Sequence, residues 1–307
     1  MSEDVKDTVV ALTKHANEII AGSYENIDKI FELTDNSANS SEVANLAETF
    51  GMMAVKIEAR EFALQQTIEE LREKKARVED LVKLRSQLSW IFISTVLLTT
   101  LYIFILGFLE LPVISSLPNA DEIREYVSRS VEFLTLGIVI LIMYRMRMPL
   151  KDFGVTLSGW RKALAESLVI SVVVIALLAI IKMICNRYLP GTFKESSVFN
   201  MGYFGISYVA YILVAPVQEF IARGTMQGSL SRLIPGRYNG LAAILVTSFL
   251  FGSLHMCHSL HLSIAALITS WLWGWMYQRQ KTIIGVSLSH FLIGNAARLM
   301  GYWTFFS

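Results

Sequence analysis

The sequence predicts an all-α fold: a polytopic helical membrane protein of about seven transmembrane helices, preceded by an N-terminal cytosolic helical and coiled-coil module. Three observations predict it. The 307 residues are 53% hydrophobic and only 17% charged, with a mean hydropathy of +0.48, whereas ordinary soluble domains carry roughly a quarter charged residues. Residues 1–88 contain no long apolar run, while 89–307 contain about seven. Those runs suit helices of about 20 residues and lack the short alternating segments of barrel strands. A net charge of +1 argues against a nucleic-acid partner. Two cysteines, Cys185 and Cys257, both in apolar runs, exclude a disulfide scaffold. The acidic start MSEDVKDTVV is not that of a cleavable signal peptide.

The elements follow in order. Val5, Val9, Leu12, Ala16 and Ile19 keep a spacing of three to four residues, which marks one helical stripe. Gly22 ends it. Ile27, Ile30 and Leu33 anchor a connector, and Ser40 or Ser41 begins the next helix, with Glu42 in its first turn. A longer stripe then runs Val43, Leu46, Phe50, Met53, Ile57, Glu61, Leu64, Ile68, Leu71, Lys75, Val78, Val82. Its two consecutive four-residue steps at Met53–Ile57–Glu61 form a stutter. On a lone helix such a stripe is exposed and asks for a partner. An antiparallel hairpin within one chain and a parallel homodimer through residues 43–85 both satisfy it; the dimer is the preferred expectation. The predicted organisation is a helix–connector–helix module at 1–58, a coiled-coil stalk at 59–88, two transmembrane helices at 89–150 and a further membrane domain at 151–307.

Candidate spans are 89–111, 132–148, 163–184, 203–222, 240–257, 262–278 and 283–303. Lys and Arg collect before the first span (Arg72 to Arg85), after the second (Arg145 to Lys162), after the fourth (Arg232, Arg237) and after the sixth (Arg279, Lys281). The intervening loops are poorer in them. The positive-inside rule then puts the N-terminus in the cytoplasm and the chain in the cytoplasmic membrane.

Ionisable residues within spans are costly and usually face a protein interior or a water-filled cavity. Glu219 and Arg223 stand four apart in APVQEFIARGTMQ, so they share a helix face and can pair. His255, His258 and His261 follow in FLFGSLHMCHSLH, and His290 and Asn295 in SLSHFLIGN. One carboxylate and two imidazoles from different helices can activate a water for peptide hydrolysis. They can alternatively hold a divalent metal such as zinc, with His255, His290, His258 and Glu219 as candidate ligands. The blander readings are a structural Glu219–Arg223 pair, interfacial His258 and His261, and a belt or core role for Trp271, Trp273, Trp275 and Tyr277. Convergence of Glu219, His255 and His290 requires shifted or kinked helices, and Pro216 supplies a kink.

Two resemblances add to this. HANEIIAGSYENI followed by SEVANLAETFGMMAVKIEAREFALQQTIEEL resembles a HAMP linker over about 5–62, which implies a parallel four-helix bundle in a dimeric signalling module. Residues 150–300 resemble the CAAX-processing and bacteriocin-processing (CPBP) intramembrane protease family. The motif Glu-Glu-x-x-x-Arg stands here as Gln218-Glu219 to Arg223, Phe-x-x-x-His as Phe251 to His255, and His-x-x-x-Asn/Asp begins at His290. In the third motif Gly294 takes the Asn/Asp place and Asn295 follows one position later. This resemblance implies an intramembrane endopeptidase acting on membrane-anchored or prenylated peptides, with Glu219, His255, His290, Arg223, Gln218 and Asn295 as its site. No cofactor is needed in a glutamate-type mechanism. The first glutamate of the family's pair activates the water, and Gln218, an amide, cannot take that proton. Two expectations therefore stand: Glu219 assumes the base role, or the chain is a catalytically impaired signalling or binding scaffold. A transporter or sensor ranks behind both, because the spans show no internal repeat.

Overall fold

The computed structural model describes residues 3–33, 41–193, 196–256 and 259–303. It is 83% helical, and the described residues contain no strand. The chain forms two compact units, Met1–Val82 and Lys83–Ser307.

The first unit comprises α1 (Glu3–Ile20), α2 (Ile27–Glu32) and the opening part of α3 (Ser41–Leu109). Gly22 ends α1 at φ +80°, with Ser23 N–H donating to Glu18 O and Gly22 N–H to Ile19 O. This double bond satisfies the last carbonyls and favours glycine at the left-handed position. Leu12, Ile30 and Ala47 form a small core, flanked by Ile19, Leu33 and Phe50. The α3 face that packs here is set by Ala47 and Ala54 with Phe50 beside them, while Leu46 and Met53 of the predicted stripe are exposed. The Glu18 carboxylate is held below its ordinary range, chiefly by its hydrogen bond with His15 and next by the bond Asn26 donates. Farther along α3 the stripe has no cover within the unit: Leu64, Ile68, Leu71, Val78 and Val82 are all exposed.

The second unit holds the remainder of α3, then α4 (Pro112–Ser115), α5 (Ala120–Arg145), α6 (Trp160–Tyr188), α7 (Ile206–Glu219), a π-helical stretch Phe220–Gln227, α8 (Gly228–Leu233), α9 (Asn239–Ser253), α10 (Leu260–Gln280) and α11 (Ile283–Leu299). Each predicted span falls on one of these helices or helical runs. Four are long and apolar enough to cross a membrane: Ser41–Leu109, Glu122–Arg145, Trp160–Tyr188 and Ile206–Leu233. Asn239–Ser253 and Ile283–Leu299 are shorter apolar helices. The protein is therefore an all-α polytopic membrane protein.

Two local differences from the predicted spans position the site. The second span was expected to begin at residue 132, but α5 begins at Ala120. Hydropathy registers only the apolar part of a helix, whereas Glu and Arg propagate a helix well. Glu132 consequently stands inside α5, about 18 Å of helix rise from its start. The helix on the fifth predicted span, α9, ends early, at Ser253, and His255 occupies the following turn, its N–H donating to Gly252 O. At 15 residues, α9 rises about 22 Å, short of the roughly 30 Å hydrocarbon core.

The packing is built on α11, which lies against α6 and α7, and on the α9–α10 pair. Phe251, Ala266, Trp273, Met276, Val286 and Ile293 belong to one buried cluster. Polar contacts pin the helices at chosen heights: Ser171 Oγ donates to Ser289 Oγ at 3.0 Å, and Trp273 Nε1 to the same oxygen at 3.2 Å. Between membrane helices, small residues and interhelical hydrogen bonds of this kind replace the missing hydrophobic drive. Trp273 and Tyr277 are core residues, while Trp271 and Trp275 are exposed.

Candidate active site

The site starts on the helical run that α7 opens. Pro216 lies inside α7 and can donate no backbone hydrogen bond. The chain then widens into the π-helical stretch Phe220–Gln227, in which Gly228 N–H reaches back five residues to Arg223 O. Such irregular turns are often found at functional sites. Here the widened segment carries Arg223.

Glu219 and Arg223 are both fully buried. Arg223 Nε donates to Glu219 Oε2 at 3.1 Å, and Arg223 Nη2 donates to Ser270 Oγ on α10 at 2.7 Å. The other carboxylate oxygen, Glu219 Oε1, lies 2.8 Å from His290 Nδ1 on α11. His290 Nε2 in turn lies 2.8 Å from the Tyr211 hydroxyl. Trp273 stacks on the imidazole, with centroids 4.0 Å apart and planes 24° apart. Four helical segments are thus tied through one charged pair and one imidazole. A buried ion pair is sustained by satisfying its remaining lone pairs and protons; the His290 and Ser270 contacts do part of that here, while Arg223 Nη1 is buried without a hydrogen-bond partner.

The neighbouring residue behaves differently. Gln218 lines a cavity of about 580 Å³ together with Glu132, Arg129, His255, Gly294 and Asn295. A smaller adjoining cavity of about 90 Å³ shares Tyr102, Glu132, Gln218 and His255 with it. Successive helix residues point about 100° apart, so Glu219 turns into the protein while Gln218 turns to the cavity. Gln218 Nε2 donates to Glu132 Oε1 at 2.8 Å, and Arg129 Nη1 donates to Glu132 Oε2 at 2.8 Å. His255 packs its ring against Phe251 (5.1 Å) and its Nδ1 lies 2.9 Å from Phe251 O. His255 and His290 also border a further cavity of about 100 Å³, together with Phe251, Trp273 and Tyr211.

Of the sequence-derived candidates, Glu219, Arg223 and His290 are in direct contact, and Gln218, His255 and Asn295 share a cavity wall. Asn295 reaches that wall despite its later position and donates to Tyr208 O at 3.3 Å. His258 lies outside the described residues, as does Cys257. His261 stands exposed in the first turn of α10. A metal site fits the described donors poorly. Both carboxylate oxygens of Glu219 and both ring nitrogens of His290 are engaged by protein groups, and among the described residues no group of three or more His, Cys, Asp or Glu side chains is gathered for an ion.

Sequence reasoning missed three residues. Glu132 stood at the edge of a predicted span, where a carboxylate attracts no notice. Tyr211 and Ser270 carry no spacing signal at all. Tyr211 also accounts for the glycine in the third motif: a Cβ at Gly294 would fall 3.0 Å from Tyr211 Cε1 and 3.4 Å from its hydroxyl. The tyrosine fills the space an Asn or Asp side chain would need, and its hydroxyl contacts the motif's own histidine.

Helices of the membrane domain thus converge on a buried carboxylate–arginine–imidazole network beside a polar cavity. Residues 200–295 match the family model for type II CAAX prenyl endopeptidases, described as Rce1-like. Over that stretch the chain is similar to the CPBP/CAAX protease family. No curated protein and no solved structure matches the chain.

Proposed function

We propose that this protein is an intramembrane peptide hydrolase that cleaves membrane-anchored or prenylated peptides, with the cavity walled by Gln218, Glu132, His255 and Asn295 as its reaction chamber. The observation that carries this reading is the division of labour around residues 218 and 219. Within the Arg223–Glu219–His290–Tyr211 network, Glu219 and Arg223 are fully buried and border none of these cavities, so that pair acts as scaffolding, while Tyr211 and His290 carry the network to the cavity walls. It fixes the backbone that presents Gln218, and it fixes α11, which presents Asn295. His255, in a turn at the cavity wall, turns its Nδ1–H to Phe251 O, and as an imidazolium its Nε2–H is the donor for the oxyanion that develops when water attacks a carbonyl. Asn295 and Gln218 can hydrogen-bond the peptide or the water. The reading predicts that the purified protein in proteoliposomes cleaves at least one member of a panel of prenylated and unprenylated peptides with CAAX-type C-termini, followed by mass spectrometry. Absence of cleavage across the panel would favour the second reading, a catalytically impaired binding scaffold, for which the amide at Gln218 is the supporting feature.

The N-terminal module belongs to the same proposal. In this reading it lies in the cytoplasm, as the basic loops suggest, and pairs with a second copy through residues 43–85 as a HAMP-like dimer. The exposed stripe Leu64, Ile68, Leu71, Val78 and Val82 supports that pairing, since its three-to-four spacing suits a helical partner. A Leu71→Cys variant in a background lacking Cys185 and Cys257 is expected to form a disulfide-linked dimer on mild oxidation in membranes. A control cysteine at the exposed, off-stripe Glu70 is expected to cross-link far less. Equal cross-linking of the two would refute the register.

A further inference from the structure

We infer that Glu132 supplies the proton-accepting carboxylate that position 218 lacks. The inference rests on the hydrolase reading above and names the group that activates the water. Gln218 is an amide and cannot accept a proton at neutral pH. Glu219 has both oxygens committed inside the protein and borders neither of the cavities that Gln218 lines. Glu132, from α5, is the carboxylate that reaches the 218 side chain. It borders both cavities together with His255 and Tyr102, and its side chain is only 10% exposed.

The contact itself explains why an amide suits position 218. Two carboxylates at hydrogen-bonding distance cannot both remain ionised, so one must keep a proton. An amide at 218 instead donates Nε2–H to Glu132 Oε1 at 2.8 Å, and Arg129 steadies the second oxygen at 2.8 Å. One negative charge therefore remains at the wall, held in a fixed orientation, with further lone pairs for a water. The carboxylate has moved from one helix to its neighbour across a single hydrogen bond.

The step balances. Glu132 takes a proton from water as the water oxygen bonds to the scissile carbonyl carbon, and the carbonyl π pair moves onto the oxygen. The oxyanion is met by His255. Collapse re-forms the carbonyl and breaks the C–N bond, and the proton on Glu132 passes to the leaving nitrogen. One water is consumed, and a carboxylic acid and an amine are formed.

The test compares four full-length proteins in proteoliposomes with a CAAX-type peptide that the parent cleaves: parent, Glu132→Gln, Gln218→Glu, and the double exchange Glu132→Gln/Gln218→Glu. Glu132→Gln is expected to lose about 100-fold or more in kcat, the scale of a general base, with KM little changed. The double exchange restores one carboxylate and one amide across the same contact. It is expected to recover activity to within about tenfold of the parent; a base is told from a merely structural contact by Glu132→Gln losing kcat while its KM and Tm stay near the parent's. Glu132→Gln activity near the parent's, or a double exchange no better than Glu132→Gln, overturns the assignment and leaves the hydrolase reading standing. A parent that cleaves no peptide overturns both. Should Glu132→Gln fail to fold by thermal melting, the double exchange, which keeps the donor–acceptor pair, decides the matter alone.

Discussion

Arg223→Met is expected to destabilise the membrane domain by about 3–5 kcal/mol, the usual cost of leaving one partner of a buried ion pair uncompensated. The reason lies in what Arg223 does at once. Its Nε balances a fully buried carboxylate, and its Nη2 ties that pair to Ser270 on α10. Removing the guanidinium leaves Glu219 charged in a dry interior with His290 as its sole remaining bonded partner in the network, or forces it to take up a proton. Arg223→Lys recovers only part of the loss, because a point charge cannot serve two acceptors held in a fork geometry. Thermal unfolding in detergent reads the effect directly: a large fall in Tm for Met and a smaller one for Lys. Unchanged melting of Arg223→Met would show that the pair is not part of the scaffold.

His255→Ala should behave in the opposite way. The side chain sits in a turn at the cavity wall, outside the buried network, and its deletion removes a donor without opening the core. The expected result is a loss of about 10²–10³ in kcat, the range for one oxyanion donor, with Tm little altered. Peptide cleavage and melting measured on the same preparation check it. If activity and stability fell together, His255 would belong with the scaffold. The two variants thus separate residues that build the chamber from those that work in it.

Much of this was legible in the sequence, for physical reasons that differ from residue to residue. Apolar runs near residues 163–184 and 89–111 announce helices by length alone, and α6 and α3 follow. Glu219 and Arg223 announce a pair by their spacing. The beginning of α5 was not legible, because the polar residues before Glu132 disguise a helix that hydropathy cannot register. The choice between Gln218 and Glu219 as the cavity residue was not legible either. Adjacent helix positions differ by a rotation that only tertiary packing sets. Tyr211 was hidden for a related cause: its role depends on the missing side chain at Gly294, on a helix far away in sequence. Asn295 stands one position later than the motif places it, yet it reaches the same wall as Gly294, since the wide cavity is bordered by both.

The widened turn at Phe220–Gln227 carries a consequence for how this gene can change. Point replacements along the segment alter single contacts and can be absorbed. The widened turn holds one residue more than the α-helical turns it replaces, so losing one codon there would let the backbone resume the regular four-residue ladder with the faces on either side nearly in phase. The same loss in the regular part of α7 would rotate everything before it by about 100° against everything after. Lineages descending from this chain should therefore tolerate a changed letter count within the stretch better than in the helix that leads into it.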